Sequence, residues 1–148
     1  MSDRQYSGMD PLDGIVQTLD RAAGATVAQT TFGLSPATML LAGTDWAIHL
    51  ARSPGKQVQL GAKMARKYMR LFDYAGRSSR DADAEPAIQP LPQDHRFDDP
   101  AWKQPPYNLI AQSFLLNQQW WHAATTGIGG VSQHHEEIMA FSTRQILD

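Results

Sequence analysis

The sequence predicts an all-α chain, on three observations. Apolar residues recur at three- and four-residue spacing through most of its length, Ser-Pro and Asp-Pro pairs stand where helices would start, and no alternating strand pattern of useful length occurs. At 148 residues, 42% hydrophobic and 19% charged, the chain fits one modest domain or two small ones. A Pro-rich middle argues against a fully compact single domain. The expected layout is a disordered N-terminus over residues 1–10, a small helical hairpin module over 11–75, a Pro/Asp-rich linker over 76–93, and two longer helices within 94–148.

Each element has a local reason. A short helix starts near Asp10-Pro11, carries Leu12, Ile15, Val16, Leu19, Ala22 and Ala23, and is weakened by Gly24. Gly33-Leu34-Ser35-Pro36 places Ser at an N-cap and Pro at the first helical position, so a helix follows over about 37–52 with Met39, Ala42, Trp46, Ala47 and Leu50 on one face. Ser53-Pro54-Gly55 ends it. The next helix, 56–74, sets Val58, Gly61, Ala62, Ala65, Met69 and Phe72 on one side and Lys56, Lys63, Lys67 and Arg70 on another, and the two form the hairpin.

Beyond the linker, Asp99-Pro100 is a further cap pair, and Pro105-Pro106 delays the main helix to about Tyr107. That helix is apolar on more than one side, through Ile110, Phe114, Leu115, Leu116, Trp120 and Trp121, and needs packing partners on two sides. Gly127-Ile128-Gly129-Gly130 breaks it and Ser132 caps the last helix.

Composition excludes several chemistries. With no Cys there is no thiol nucleophile, thiolate metal site or disulfide, and no G-x-S-x-G elbow offers a serine in its place. His134-His135-Glu136-Glu137 is metal-like in composition, but neighbours on a helix point about 100° apart, so it reads as a solvated helix start and no metal is expected. The glycines at 127, 129 and 130 have no preceding strand and no following Lys-Ser, so a turn is expected rather than a phosphate loop, and no cofactor. No apolar run reaches the roughly 18 residues of a spanning helix and the N-terminus lacks a signal-peptide pattern, so a cytoplasmic location is expected.

Two features point to binding. Between positions 52 and 72 there are basic residues and no acidic ones, so Lys56, Lys63, Lys67 and Arg70 form a cationic stripe that could lie on an anionic membrane or on nucleic acid. Phe97, Trp102, Tyr107, Phe114 and Trp121 form an aromatic set suited to apolar contact with a partner or a polymer.

Asp94-His95-Arg96-Phe97-Asp98-Asp99-Pro100-Ala101-Trp102, with Gln112-Ser113-Phe114-Leu115-Leu116 and Phe141-Ser142-Thr143-Arg144-Gln145, resembles the N-terminal region of the polyhydroxyalkanoate synthases. Gly33-Leu34-Ser35-Pro36, Asp45-Trp46-Ala47-Ile48-His49-Leu50 and Ser53-Pro54-Gly55-Lys56 resemble the helical module that precedes it in poly-3-hydroxybutyrate polymerases. The resemblance implies a cytoplasmic acyltransferase family that polymerises 3-hydroxyacyl-CoA on an α/β-hydrolase domain carrying Cys, Asp and His. None of that domain is present, so no catalytic residue carries over, and the chain reads as a truncated gene, a fragment or a split partner.

The expected function is therefore non-catalytic: contact with polyester granules, with granule-associated proteins, or with a synthase catalytic domain or full-length synthase. The basic helix as a nucleic-acid or membrane-surface module is the alternative.

Overall fold

The computed structural model describes residues 11–30 and 33–147, and the expected disorder of residues 1–10 lies outside them. Five α-helices follow in order: α1 (Pro11–Thr30), α2 (Pro36–Ala51), α3 (Pro54–Ser78), α4 (Tyr107–Thr125) and α5 (Gln133–Leu147). A short 3-10 helix, Pro100–Lys103, precedes α4. Among the described residues there is no strand, and no described helix is long and apolar enough to cross a membrane.

The chain divides into two compact units at Leu40/Leu41. In the first, α1 runs unbroken through Gly24, where the sequence predicted weakening, to Thr30. The hydroxyls of Thr18 and Thr26 donate to the carbonyls of Gly14 and Ala22, at 2.7 and 2.9 Å, on either side of it. Ile15, Val16 and Leu19 lie exposed along one face of α1.

In the second unit α4 is central, with α3 and α5 packed against it, as its two-sided apolar character requires. Ala111, Leu115, Leu116 and Ala124 of α4 are buried, with Leu60 and Tyr74 of α3, Ile138 of α5 and Ile128 of the turn. The local start signals act as expected. Pro36 opens α2, and the Asp99 carboxylate accepts the Ala101 N–H at 2.8 Å to cap the 3-10 helix. The Ser132 hydroxyl accepts the His135 N–H at 3.2 Å above α5. The turn between α4 and α5 uses Gly127 and Gly130 at φ 66° and 96°.

α3 is turned differently from its apolar periodicity. Val58, Met69 and Phe72 face solvent, each more than 60% exposed, while Leu60 and Tyr74 are buried. The inward face also carries Lys67, whose ammonium bonds Gln119 of α4. Long basic side chains lay their methylenes on apolar surface and send the charge to its edge, so a lysine-bearing face can pack inward.

The segment between α3 and α4 is irregular but tied down. Arg70 and Arg77 of α3 and Gln112 of α4 bond its backbone, supplying with hydrogen bonds the ordering that its apolar content does not.

Candidate interaction site

The residues ahead of α4 build an aromatic row. Phe97 meets Trp102 edge-on at 5.1 Å between ring centroids and Phe114 of α4 at 5.8 Å, and Trp102 meets Tyr107 edge-on at 6.1 Å. The row exists because Asp99 caps the 3-10 helix and so fixes the direction of Trp102. Arg96 holds the other side. Its guanidinium lies 5.0 Å from the Phe114 centroid and 5.7 Å from that of Phe97, and grips Asp94 through two 2.8 Å bonds. Phe97, Trp102 and Phe114 are half-buried and Tyr107 is 51% exposed.

Four of the five predicted aromatic contacts are thus brought together. Trp121 is not among them: it lies about one turn before the C-terminus of α4 at Thr125, edge-on to Trp120 at 5.2 Å. A shallow groove lined by Leu71, Phe72, Ala75, Pro106, Leu109 and Ile110 opens at the same end of α4 as Tyr107. With Phe72 at 72% and Ile110 at 50% exposure, it extends the apolar surface onto α3.

The cationic stripe is largely committed inside the chain. Lys56 donates to the Thr126 carbonyl at 2.6 Å, just past the end of α4, where a cation is favoured by the helix dipole. Lys67 bonds the Gln119 side chain and Arg70 the Ala87 carbonyl. Desolvation lowers the pKa of both Lys56 and Lys67, with neighbouring cations adding to the effect. Lys63 is half-buried.

A polar cluster joins α2 to the start of α5. Asp45 accepts from His135 Nδ1 at 2.6 Å and faces His49 Nδ1 at 2.9 Å, and it receives a long 3.4 Å bond from the Ser132 N–H. Trp46, beside it, donates its indole N–H to the Ala124 carbonyl at 2.9 Å. Glu136 accepts the Gly127 N–H at 2.8 Å. The segment His134 to Glu137 is thus more than a solvated helix start, since two of its members hold tertiary contacts. Its partner Asp45 lies 90 residues away, a distance no local motif spans. Among the described residues, no three His, Asp or Glu side chains are placed to hold a metal ion.

These contacts predict some loss of stability in acid. The hydrogen bond from His135 lowers the Asp45 pKa below its ordinary value, and that from Arg96 does the same for Asp94. A carboxylate depressed in the folded state stabilises it above the unfolded pKa, near 4, and loses that contribution as the pH falls through the depressed value. The urea midpoint is therefore expected to fall between pH 5 and pH 3. Asp45→Asn should flatten part of that dependence, and an unchanged slope would refute the assignment to Asp45.

Comparison with known proteins places both halves of the chain. A family described as "Poly-beta-hydroxybutyrate polymerase N terminal" matches residues 14–56, and one described as "Poly-beta-hydroxybutyrate polymerase (PhaC) N-terminus" matches residues 93–148. A poly(3-hydroxyalkanoate) polymerase of Methylorubrum extorquens is 30% identical over 97 residues, which is 65% of this chain and 16% of that protein. No solved structure matches the chain. The second family match contains the whole aromatic row, and the first contains Asp45, Trp46, His49 and Lys56. With both N-terminal segments in order along one chain, it belongs to the N-terminal region of the polyhydroxyalkanoate polymerases.

Proposed function

We propose that this region is a non-catalytic contact module of its polymerase, presenting an apolar surface to the polyester granule or to a further synthase subunit. The observation that carries the reading is the surface around the N-terminus of α4. Exposed Tyr107 and Ile110 adjoin an aromatic row that Arg96 and the Asp99 cap hold in place. Aromatic side chains fixed by their neighbours lose little entropy on docking, which suits them to contact.

The test is capture of full-length polymerase, or co-sedimentation with native polyester granules. Binding to one of them is expected, and Trp102→Ala should weaken it by roughly tenfold, about 1.4 kcal/mol, while leaving most helix content in place. Equal loss of binding and helicity would make Trp102 a core residue, and absence of binding to both would remove the reading.

The chain on its own is expected to release no CoA from 3-hydroxybutyryl-CoA, because a thioester-forming nucleophile needs a thiolate and the sequence has no Cys. Release above background that is lost on changing a single Ser or His would overturn this. The alternative, a cationic surface for nucleic acid or anionic membrane, has less support because Lys56, Lys67 and Arg70 already serve acceptors within the chain.

A further inference from the structure

The segment between α3 and α4 is held by its backbone alone at three successive points. Gln112, buried in α4, donates from Nε2 to the Ile88 carbonyl at 3.0 Å and accepts the Ile88 N–H on Oε1 at 2.8 Å. Arg70 donates to the Ala87 carbonyl. Arg77 donates from Nη1 to the Glu85 carbonyl at 2.8 Å, and its Nε is fixed by Asp73 at 2.9 Å. Three side chains from two helices thus serve four backbone groups within four consecutive residues. The residue between the gripped positions 85 and 87 is Pro86, which has no N–H to leave unsatisfied. Ala87 and Ile88 are half-buried, whereas Glu85, Pro86 and Gln89 are exposed.

A side-chain amide that satisfies both the N–H and the C=O of one residue does what a neighbouring strand does, and it reads no side chain. We propose that Arg70, Arg77 and Gln112 form a peptide-binding clasp, filled in this structure by the chain's own residues 85–88 as an intramolecular occupant. The partner it fits is a non-helical peptide of the same kind, with small or apolar residues at the two half-buried positions and Pro two residues before the one that Gln112 grips. Such a peptide gains access by displacing the internal segment, so the segment is an autoinhibitory occupant. This surface is separate from the aromatic row, and the inference does not depend on the contact function proposed above.

The test uses a fluorescent synthetic peptide of residues 83–91 and two forms of the full chain. In one, Ile88→Pro removes the N–H that Gln112 accepts, a group the peptide retains; the other carries that change and Gln112→Leu. The opened chain should bind the peptide saturably and at least tenfold more tightly than the unaltered chain, and Gln112→Leu should reduce that binding at least tenfold. No saturable binding by an opened chain of native helix content would overturn the proposal, as would binding indifferent to Gln112. If the opened chain loses helicity, hydrogen exchange of the unaltered chain decides. Excess peptide should accelerate exchange of the Ile88 amide as the internal segment is displaced, and unchanged exchange would overturn the clasp.

Discussion

Gly130→Ala is expected to destabilise the second unit by about 2–3 kcal/mol, seen as a fall of roughly 10 °C in the thermal midpoint followed by circular dichroism. Two costs add. Gly130 has φ 96°, a conformation that an L-residue adopts only under strain. A Cβ there would also stand 2.3 Å from His49 Cδ2 and 2.8 Å from its Nε2. The imidazole cannot yield freely, because its Nδ1 lies 2.8 Å from the Asp45 carbonyl and 2.9 Å from the Asp45 carboxylate. Pushing the ring away would therefore disturb the cluster that joins α2 to the start of α5. Adding His49→Ala to Gly130→Ala should recover the steric part and leave the backbone part. Gly129→Ala is the control: a Cβ there meets nothing within 4 Å, and its effect should stay within about 0.5 kcal/mol. A fall of under 3 °C for Gly130→Ala would mean that the turn relaxes around the new methyl.

The elements legible in the sequence are those whose cause is local. Asp99 and Ser132 cap their helices through contacts within three residues and Pro36 opens α2, so these positions were readable before any tertiary partner was known. The demand of α4 for two packing partners was readable too, since its apolar residues cover more than one side. Which face of α3 turns inward was not. Both candidate stripes have the helical period, and the choice between them depends on Gln119 and the Thr126 carbonyl, which receive the lysine ammoniums from another helix. The Asp45–His135 contact is invisible for the same reason: nothing near His135 marks it as the partner of a carboxylate on α2. The aromatic row lay between these cases. Its composition was apparent and its assembly needed the 3-10 helix to aim Trp102, while Trp121, equally aromatic, stands apart beside Trp120.

Trp120→Ala is expected to cost about 3 kcal/mol and to loosen the packing of α3 on α4. Two adjacent tryptophans point in different directions on a helix, so Trp120 and Trp121 cannot share one packing surface. Trp120 spans the interface, donating its indole N–H to the Leu60 carbonyl at 3.0 Å, and Leu60 is itself buried. Truncation removes a large half-buried ring and its hydrogen bond and leaves a void beside Leu60. Trp120→Phe keeps most of the ring volume and loses the donor, so about 1 kcal/mol is expected. Leu60→Ala keeps the main-chain carbonyl that receives the indole N–H, so a combined cost below the sum of Leu60→Ala and Trp120→Ala would report packing between the two side chains. Urea midpoints of the four proteins measure the coupling. If Trp120→Ala instead left the midpoint unchanged and weakened capture of the polymerase, Trp120 would be a docking residue and the tie between α3 and α4 would have to lie with Lys67 and the apolar contacts of Leu60 and Tyr74.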